Sequence, residues 1–191
     1  MTDVAGANRP DWIGINFSPV SRRRADADTL AAFGRQPSAA AVAVFYRNSE
    51  AEIRNILAQY PFKTVQLYAG DVSADFVRTL RCRVILAVRM EAGVAWSDQV
   101  APYAADVDFF ILDGATPGSG QRMEAEVSLN FPYPFLLAGG LNLENLSLAA
   151  AHPNCIGVDM ASGIETAAAV DQEKIRLIAA RLADLRTPKV S

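Results

Sequence analysis

The sequence holds few of the residues on which reactive chemistry usually rests. In 191 residues there are one histidine and two cysteines. Cys82 and Cys155 lie far apart, with neither the spacing of a metal site nor the density of a disulfide framework. No metal is expected, and a reduced, cytoplasmic protein is. No apolar run reaches the length needed to span a bilayer, so no membrane partner is expected. The first ten residues, Met1–Pro10, lack the basic start and apolar core of a secretory signal. Charge of one sign is never concentrated. The net charge is −3, and binding a phosphate backbone needs a basic face, so nucleic acid is not an expected partner. Arg22-Arg23-Arg24 is a local exception. No Gly-x-Gly-x-x-Gly follows the first apolar run, which argues against a dinucleotide fold. Low-complexity tracts, linkers and sequence repeats are also missing.

What remains is a rhythm. Hydrophobic residues make up 51% of the chain, enough for a sizeable core in one domain over 1–191. Short β-branched runs alternate with helical stretches. Strands are expected at 12–17, 41–46, 64–68, 84–90, 108–112, 135–138 and 156–160. Helices are expected at 26–33 (ended by Gly34), 50–59, 73–80, 96–104, 143–151 and 168–185. A glycine-rich loop at 113–120 leads into a weakly helical segment. Ser49 with Glu52 has the spacing of a capping box. Near-continuous apolar strands separated by single helices imply a parallel α/β fold, either an eight-unit barrel or a doubly wound sheet.

In such folds chemistry gathers where strands end. Those ends supply Ser18, Ser21, Arg22 and Arg23, then Arg47 and Asn48, then Gln66, Tyr68 and Asp71, then Arg89 and Glu91, and finally Asp113, Asp159 and Ser162. Asp113 is the sharpest of them. An acid after four apolar residues, ahead of a glycine loop, is suited to general acid catalysis once burial raises its pKa. The alternative is an Asp capping the next turn. The arginines at 22–24 could grip a phosphate or carboxylate, or form a solvated loop. Gly139-Gly140 and Ala161-Ser162-Gly163 each follow an apolar strand, one βα unit apart. Exposed backbone N–H groups in two such loops favour an anion, which makes them an expected phosphate cradle. His152, before the last strand, reads as a surface histidine. Cys82, Cys155 and Trp96 read as packing residues.

The motifs Gly-Ile-Asn-Phe-Ser-Pro-Val-Ser-Arg-Arg (14–23), Val-Gln-Leu-Tyr (65–68), Ile-Leu-Asp (111–113), Gly-Ser-Gly-Gln (118–121), Leu-Ala-Gly-Gly-Leu-Asn-Leu-Glu-Asn (137–145) and Val-Asp-Met-Ala-Ser-Gly-Ile-Glu (158–165) occur in this order. Together they resemble the phosphoribosylanthranilate isomerase family, (β/α)8 barrels of tryptophan biosynthesis, from about Asp11 to the C-terminal helix. The resemblance implies a cofactor-free Amadori rearrangement of a phosphorylated aminoaldose. A general acid protonates the furanose oxygen, and a base then removes the C2 proton. It implies Asp113 as the acid and Arg23 as the arginine near the anthranilate carboxylate; from the strand ends, Gln66, Tyr68 and Asp159 are expected as further substrate contacts. It further implies phosphate held by Gly139, Gly140, Ser162 and Gly163, in a monomer or homodimer. The family's base is a cysteine in an opening Lys-(Ile/Val)-Cys-Gly strand. This sequence shows no such segment, so the match begins at the family's second strand. Two expectations compete: a start downstream of the real one, or a sugar-phosphate-binding barrel that has lost its base and has two unpaired sheet edges. Tyr68 stands where the family has histidine. Met123-Glu124-Ala125 replaces a Phe-Asp-Trp, and Ala168-Ala169-Val170-Asp171 lacks the family's Gly and Lys.

Overall fold

The computed structural model describes residues 10–35, 40–90, 94–114, 131–150 and 152–186. The strands are β1 (Ile13–Asn16), β2 (Ala41–Val44), β3 (Thr64–Tyr68), β4 (Arg83–Met90), β5 (Phe109–Gly114), β6 (Phe135–Ala138), β7 (Cys155–Val158), and the short β8 (Glu165–Thr166) and β9 (Ala169–Val170). The helices are α1 (Ala27–Arg35), α2 (Glu50–Gln59), α3 (Ala74–Thr79), α4 (Trp96–Val100), α5 (Ser147–Ala150) and α6 (Gln172–Arg186). In hydrogen-bonding order, β1 to β7 follow the order of the chain. Among the described residues no helix is long and apolar enough to cross a membrane. The glycine loop beyond Gly114, the weakly helical segment after it, and Glu91 lie outside the described residues.

The chain divides into two compact units. The first comprises Asp11–Val88 and Ala95–Phe110. Its strands pair in parallel, β1 with β2, β2 with β3 and β3 with β4, because a helical crossover separates each from the next. Val65, Leu67, Leu86 and Val88 are fully buried, as expected for a parallel sheet covered on both faces. Helices α1, α2 and α3 bury Phe33, Ile53 and Phe76. Phe17, Phe33, Phe45 and Phe62 form an aromatic cluster, with Phe33 and Phe62 stacked at 4.4 Å and Phe17 and Phe45 at 5.4 Å. The capping box forms as expected: the Ser49 N–H donates to Glu52 Oε2 at 2.7 Å, and the Glu52 N–H donates to Ser49 Oγ at 3.3 Å. Helix α1 does not stop at Gly34. It runs on to Arg35 with Phe33 buried beneath it, since one glycine costs a helix only about 1 kcal/mol.

The second unit comprises Arg89–Val94 and Ile111–Ser191, together with Thr2–Pro10. Strands β6 and β7 pair in parallel, with a register slip between Phe135 and Leu136. Phe131, Phe135, Leu137, Leu141 and Leu146 make its core. Two expectations fail here. His152 is buried rather than on the surface, 7% exposed, with its ring 6.0 Å from Phe135. The turn that carries it folds inward, closed by the Cys155 N–H on the His152 carbonyl and by the Asn154 side chain on the Phe131 carbonyl. Burial pulls the imidazole pKa down. The last helix begins at Gln172, not at Ala168. Residues 165–170 form an antiparallel hairpin, and Asp171 starts the helix by accepting the N–H groups of Glu173 and Lys174 on Oδ1.

Candidate active site

The second unit holds Asp113, Asp159 and both glycine loops. Asp113 is the penultimate residue of β5, after the buried Phe110, Ile111 and Leu112. Burial raises its carboxyl pKa to about 6, with the Asp159 charge adding to the rise and Arg89 opposing it. That value lets the group hold a proton near neutrality, as a general acid must. Asp159 follows β7, its N–H on the Leu137 carbonyl at 2.8 Å. Protein packed around it pushes its own pKa up, against a hydrogen bond from the Met160 backbone. The residue as a whole is nevertheless exposed to solvent.

Gly139 follows β6 in the left-handed region, at φ 91°. A Cβ there would lie 2.5 Å from the Gly114 nitrogen and 3.2 Å from Asp113 Oδ1. Only glycine lets the loop pass this close to the acid. Gly140, at φ 68°, has open space where a side chain would be. Two asparagines lock the turn after these glycines. Asn142 Oδ1 accepts the Glu144 and Asn145 N–H groups, and Asn145 donates to the Gly140 carbonyl and accepts from the Asn142 N–H. The second loop meets the first at Gly163, where any Cβ would overlap the Leu141 carbonyl oxygen. Ser162 opens a 3-10 turn, Ser162–Ile164. The hairpin beyond it is tied to α6 by Lys174 Nζ on the Glu165 carbonyl at 2.6 Å and by Thr166 Oγ1 on Asp171 Oδ2 at 2.7 Å. The two glycine loops expected to act together are thus in contact, and Gly140 and Ser162 are solvent-exposed.

The first unit holds Arg23, Gln66 and Tyr68. Gln66 is 7% exposed within β3. Tyr68 ends that strand, its ring 4.8 Å from the ring of Tyr46. Arg23 is exposed on the loop after β1, where it lines a groove of about 260 Å³ with Arg24, Asp26 and Thr29. Ser18 and Asn48 are turned to scaffolding instead. Both are buried, and Asn48 accepts the Tyr46 N–H and donates to the Phe17 carbonyl. Sequence reasoning overlooked Tyr46. The parallel register, Val44 opposite Gln66, carries Tyr46 to the position beside Tyr68, and no local sequence pattern signals it.

The family model described as N-(5'phosphoribosyl)anthranilate (PRA) isomerase matches residues 3–181. The chain belongs to that family. The N-(5'-phosphoribosyl)anthranilate isomerase of Lactiplantibacillus plantarum is 36% identical over 185 residues, covering 94% of this chain and 86% of its own. That of Endomicrobium trichonymphae is 30% identical, covering 91% and 88%. The phosphoribosyl anthranilate isomerase of Thermus thermophilus superposes with a TM-score of 0.77 at 29% identity, covering 94% of this chain and 91% of that one. The Thermotoga maritima enzyme does so with 0.73 at 25%, covering 93% and 90%. The fold is the α/β barrel fold of phosphoribosylanthranilate isomerases, so the barrel expectation holds over the doubly wound one.

Proposed function

We propose that this protein isomerises N-(5'-phosphoribosyl)anthranilate, an aminoaldose, to 1-(o-carboxyphenylamino)-1-deoxyribulose 5-phosphate, an aminoketose. The observation that carries this reading is Asp113, whose carboxyl is held at a pKa of about 6 beside Gly139. In the proposed mechanism Asp113 donates its proton to the furanose ring oxygen, the ring C–O bond breaks, and the anilino nitrogen lone pair forms an iminium. Transfer of the C2 proton to a general base gives the enolamine, which tautomerises to the ketone. No electrons enter or leave, so side chains suffice without a cofactor. Gly139, Gly140, Ser162 and Gly163 hold the phosphate with backbone N–H groups. Arg23, Gln66, Tyr68 and Asp159 contact the remainder of the substrate. The protein acts in the cytoplasm, as a monomer or homodimer.

The base that takes the C2 proton is a separate matter. Cys82 precedes β4 and Cys155 opens β7, and both therefore stand at strand starts, whereas Asp113 stands near the end of its strand. Burial and Asp108 also push the Cys82 thiol pKa up, away from the reactive thiolate. Neither is assigned as the base. The reading is tested by incubating the purified chain with N-(5'-phosphoribosyl)anthranilate and following the aminoketose by chromatography. Product is expected, and Asp113→Asn is expected to slow its formation by about 10²–10⁴-fold. Thermal stabilisation by the substrate without turnover would instead favour a sugar-phosphate-binding barrel. Neither turnover nor stabilisation would sink both readings.

A further inference from the structure

The first unit carries a basic cavity that the proposed reaction does not use. Lys63 precedes β3, Arg81 and Cys82 precede β4, Arg83 opens β4 and Asp108 precedes β5. Together with Thr64 they line a solvent-open cavity of about 620 Å³. It lies at strand starts, whereas Arg23 and Tyr68 of the proposed substrate site stand on the loop after β1 and at the end of β3. The parallel ladder fixes these segments against one another. Thr64 lies opposite Arg83. The Arg83 N–H donates to the Lys63 carbonyl at 3.0 Å, and the Asp108 N–H donates to the Val84 carbonyl at 2.9 Å. The cations thus sit on ordered backbone, so little chain entropy is lost there when a ligand binds.

The charges around this cavity do not cancel. The chain has a net charge of −3, yet here Lys63, Arg81 and Arg83 face a single carboxylate, Asp108. That carboxylate is already engaged. Its Oδ2 accepts the Val84 N–H at 2.9 Å, and its Oδ1 lies 3.7 Å from Arg83 Nε. Both side chains of this ion pair are about half exposed, and such a pair contributes about 0–1 kcal/mol. Most of the Arg83 donors remain open to another acceptor. Among the described residues neither the Lys63 ammonium nor the Arg81 guanidinium has an ion-pair or hydrogen-bond partner. The Cys82 thiol does not oppose an anion, because burial, with Asp108 adding to it, pushes its pKa up and keeps it neutral.

We propose that this cavity binds a small anion carrying at least two negative charges on phosphate or carboxylate groups. Arg81 and Arg83 offer paired N–H donors that match either group, and Lys63 adds a third cation. The volume is that of a small-molecule pocket. A nucleic acid would need a basic face extending well beyond it. The site is independent of the proposed isomerisation and stands or falls without it.

Cys82 reports on the site because it lines the cavity, and Cys155, which opens β7 in the second unit, is its control. Alkylation of the two thiols by iodoacetamide, an uncharged reagent, is followed by mass spectrometry. The full chain is compared with Lys63→Gln, Arg81→Gln and the double variant, in pyrophosphate, in citrate and in sodium chloride of matched ionic strength. At about ten times its dissociation constant, pyrophosphate or citrate is expected to slow Cys82 labelling about tenfold and to leave Cys155 unchanged. The anion that protects at the lower concentration assigns the ligand to the phosphate or the carboxylate class. Each single variant is expected to weaken protection, and the double variant to weaken it by about tenfold or more. The variants should keep the wild-type unfolding midpoint, because neither side chain has a partner to lose. Protection by neither anion overturns the proposal. So does equal protection of Cys155, equal protection by sodium chloride, or undiminished protection in the double variant.

Discussion

Replacing Asp113 by Asn should make the protein more stable and inactive. In the folded protein the carboxyl titrates at about 6, against 3.8 for an ordinary aspartate. That gap corresponds to about 3 kcal/mol. The folded state thus binds this proton more tightly than the unfolded state does. Stability falls as pH rises from about 4 through about 6, and the full penalty is present above that. Asparagine keeps the shape and never ionises. Solvent reaches part of the side chain, so a gain of about 2–3 kcal/mol is expected near pH 8, or about 4–12 °C in Tm for a chain of this size. The gain should shrink toward zero near pH 4, where aspartate is protonated in both states. Urea unfolding of both proteins across this range measures it. A variant no more stable than wild type at pH 8, or a difference that ignores pH, would refute the argument that burial and Asp159 hold this carboxyl in a costly charged state.

Three further outcomes are expected. If Asp113 must carry its proton, kcat/KM should fall as pH rises through about 6, and Asp159→Asn should move that limb to lower pH by removing a charge that favours the proton; a pH–rate profile that does not move would exclude the coupling. Gly163→Ala forces a methyl group into the Leu141 carbonyl and should cost about 1–3 kcal/mol in urea unfolding, with weaker protection of the chain by inorganic phosphate. In the hairpin of β8 and β9, Ala167 and Ala168 take φ 51° and 65°, so the double change Ala167→Asn, Ala168→Gly should stabilise the chain by about 1–2 kcal/mol, because Asn-Gly suits this turn and alanine does not. An unchanged or lower Tm would argue against the left-handed turn.

Much of this was legible in the residues. The capping box at Ser49 and Glu52, strand β3 over Thr64–Tyr68 and strand β6 over Phe135–Ala138 stand where local pattern puts them. The acid and the two glycine loops were also visible, because an apolar strand that ends abruptly in Asp or Gly-Gly says where a backbone emerges from a core. His152 was misread because its burial depends on Phe131 and Phe135 closing over a turn of ordinary polar composition. The last helix was misplaced because alanine favours helix, and nothing local in Ala167-Ala168-Ala169 announces a hairpin. That turn is imposed by Lys174 on the Glu165 carbonyl and by Thr166 on Asp171. Tyr46 was overlooked because its partner lies 22 residues away and meets it only through strand register.

By itself the sequence determined the alternation of strand and helix, the parallel α/β class, and the residue types at each strand end. These follow from apolar periodicity, caps and glycines, all of which act over a few residues. Tertiary structure decided what those strand ends became. It set the Asp113 pKa by burying the side chain near Asp159 and Arg89. It made Gly139 and Gly163 obligatory by pressing them against Gly114 and Leu141. It turned Asn48 and Ser18 inward and left Tyr46 beside Tyr68. Desolvation, close backbone approach and cross-strand pairing arise only between segments distant in the chain, and no local pattern encodes them.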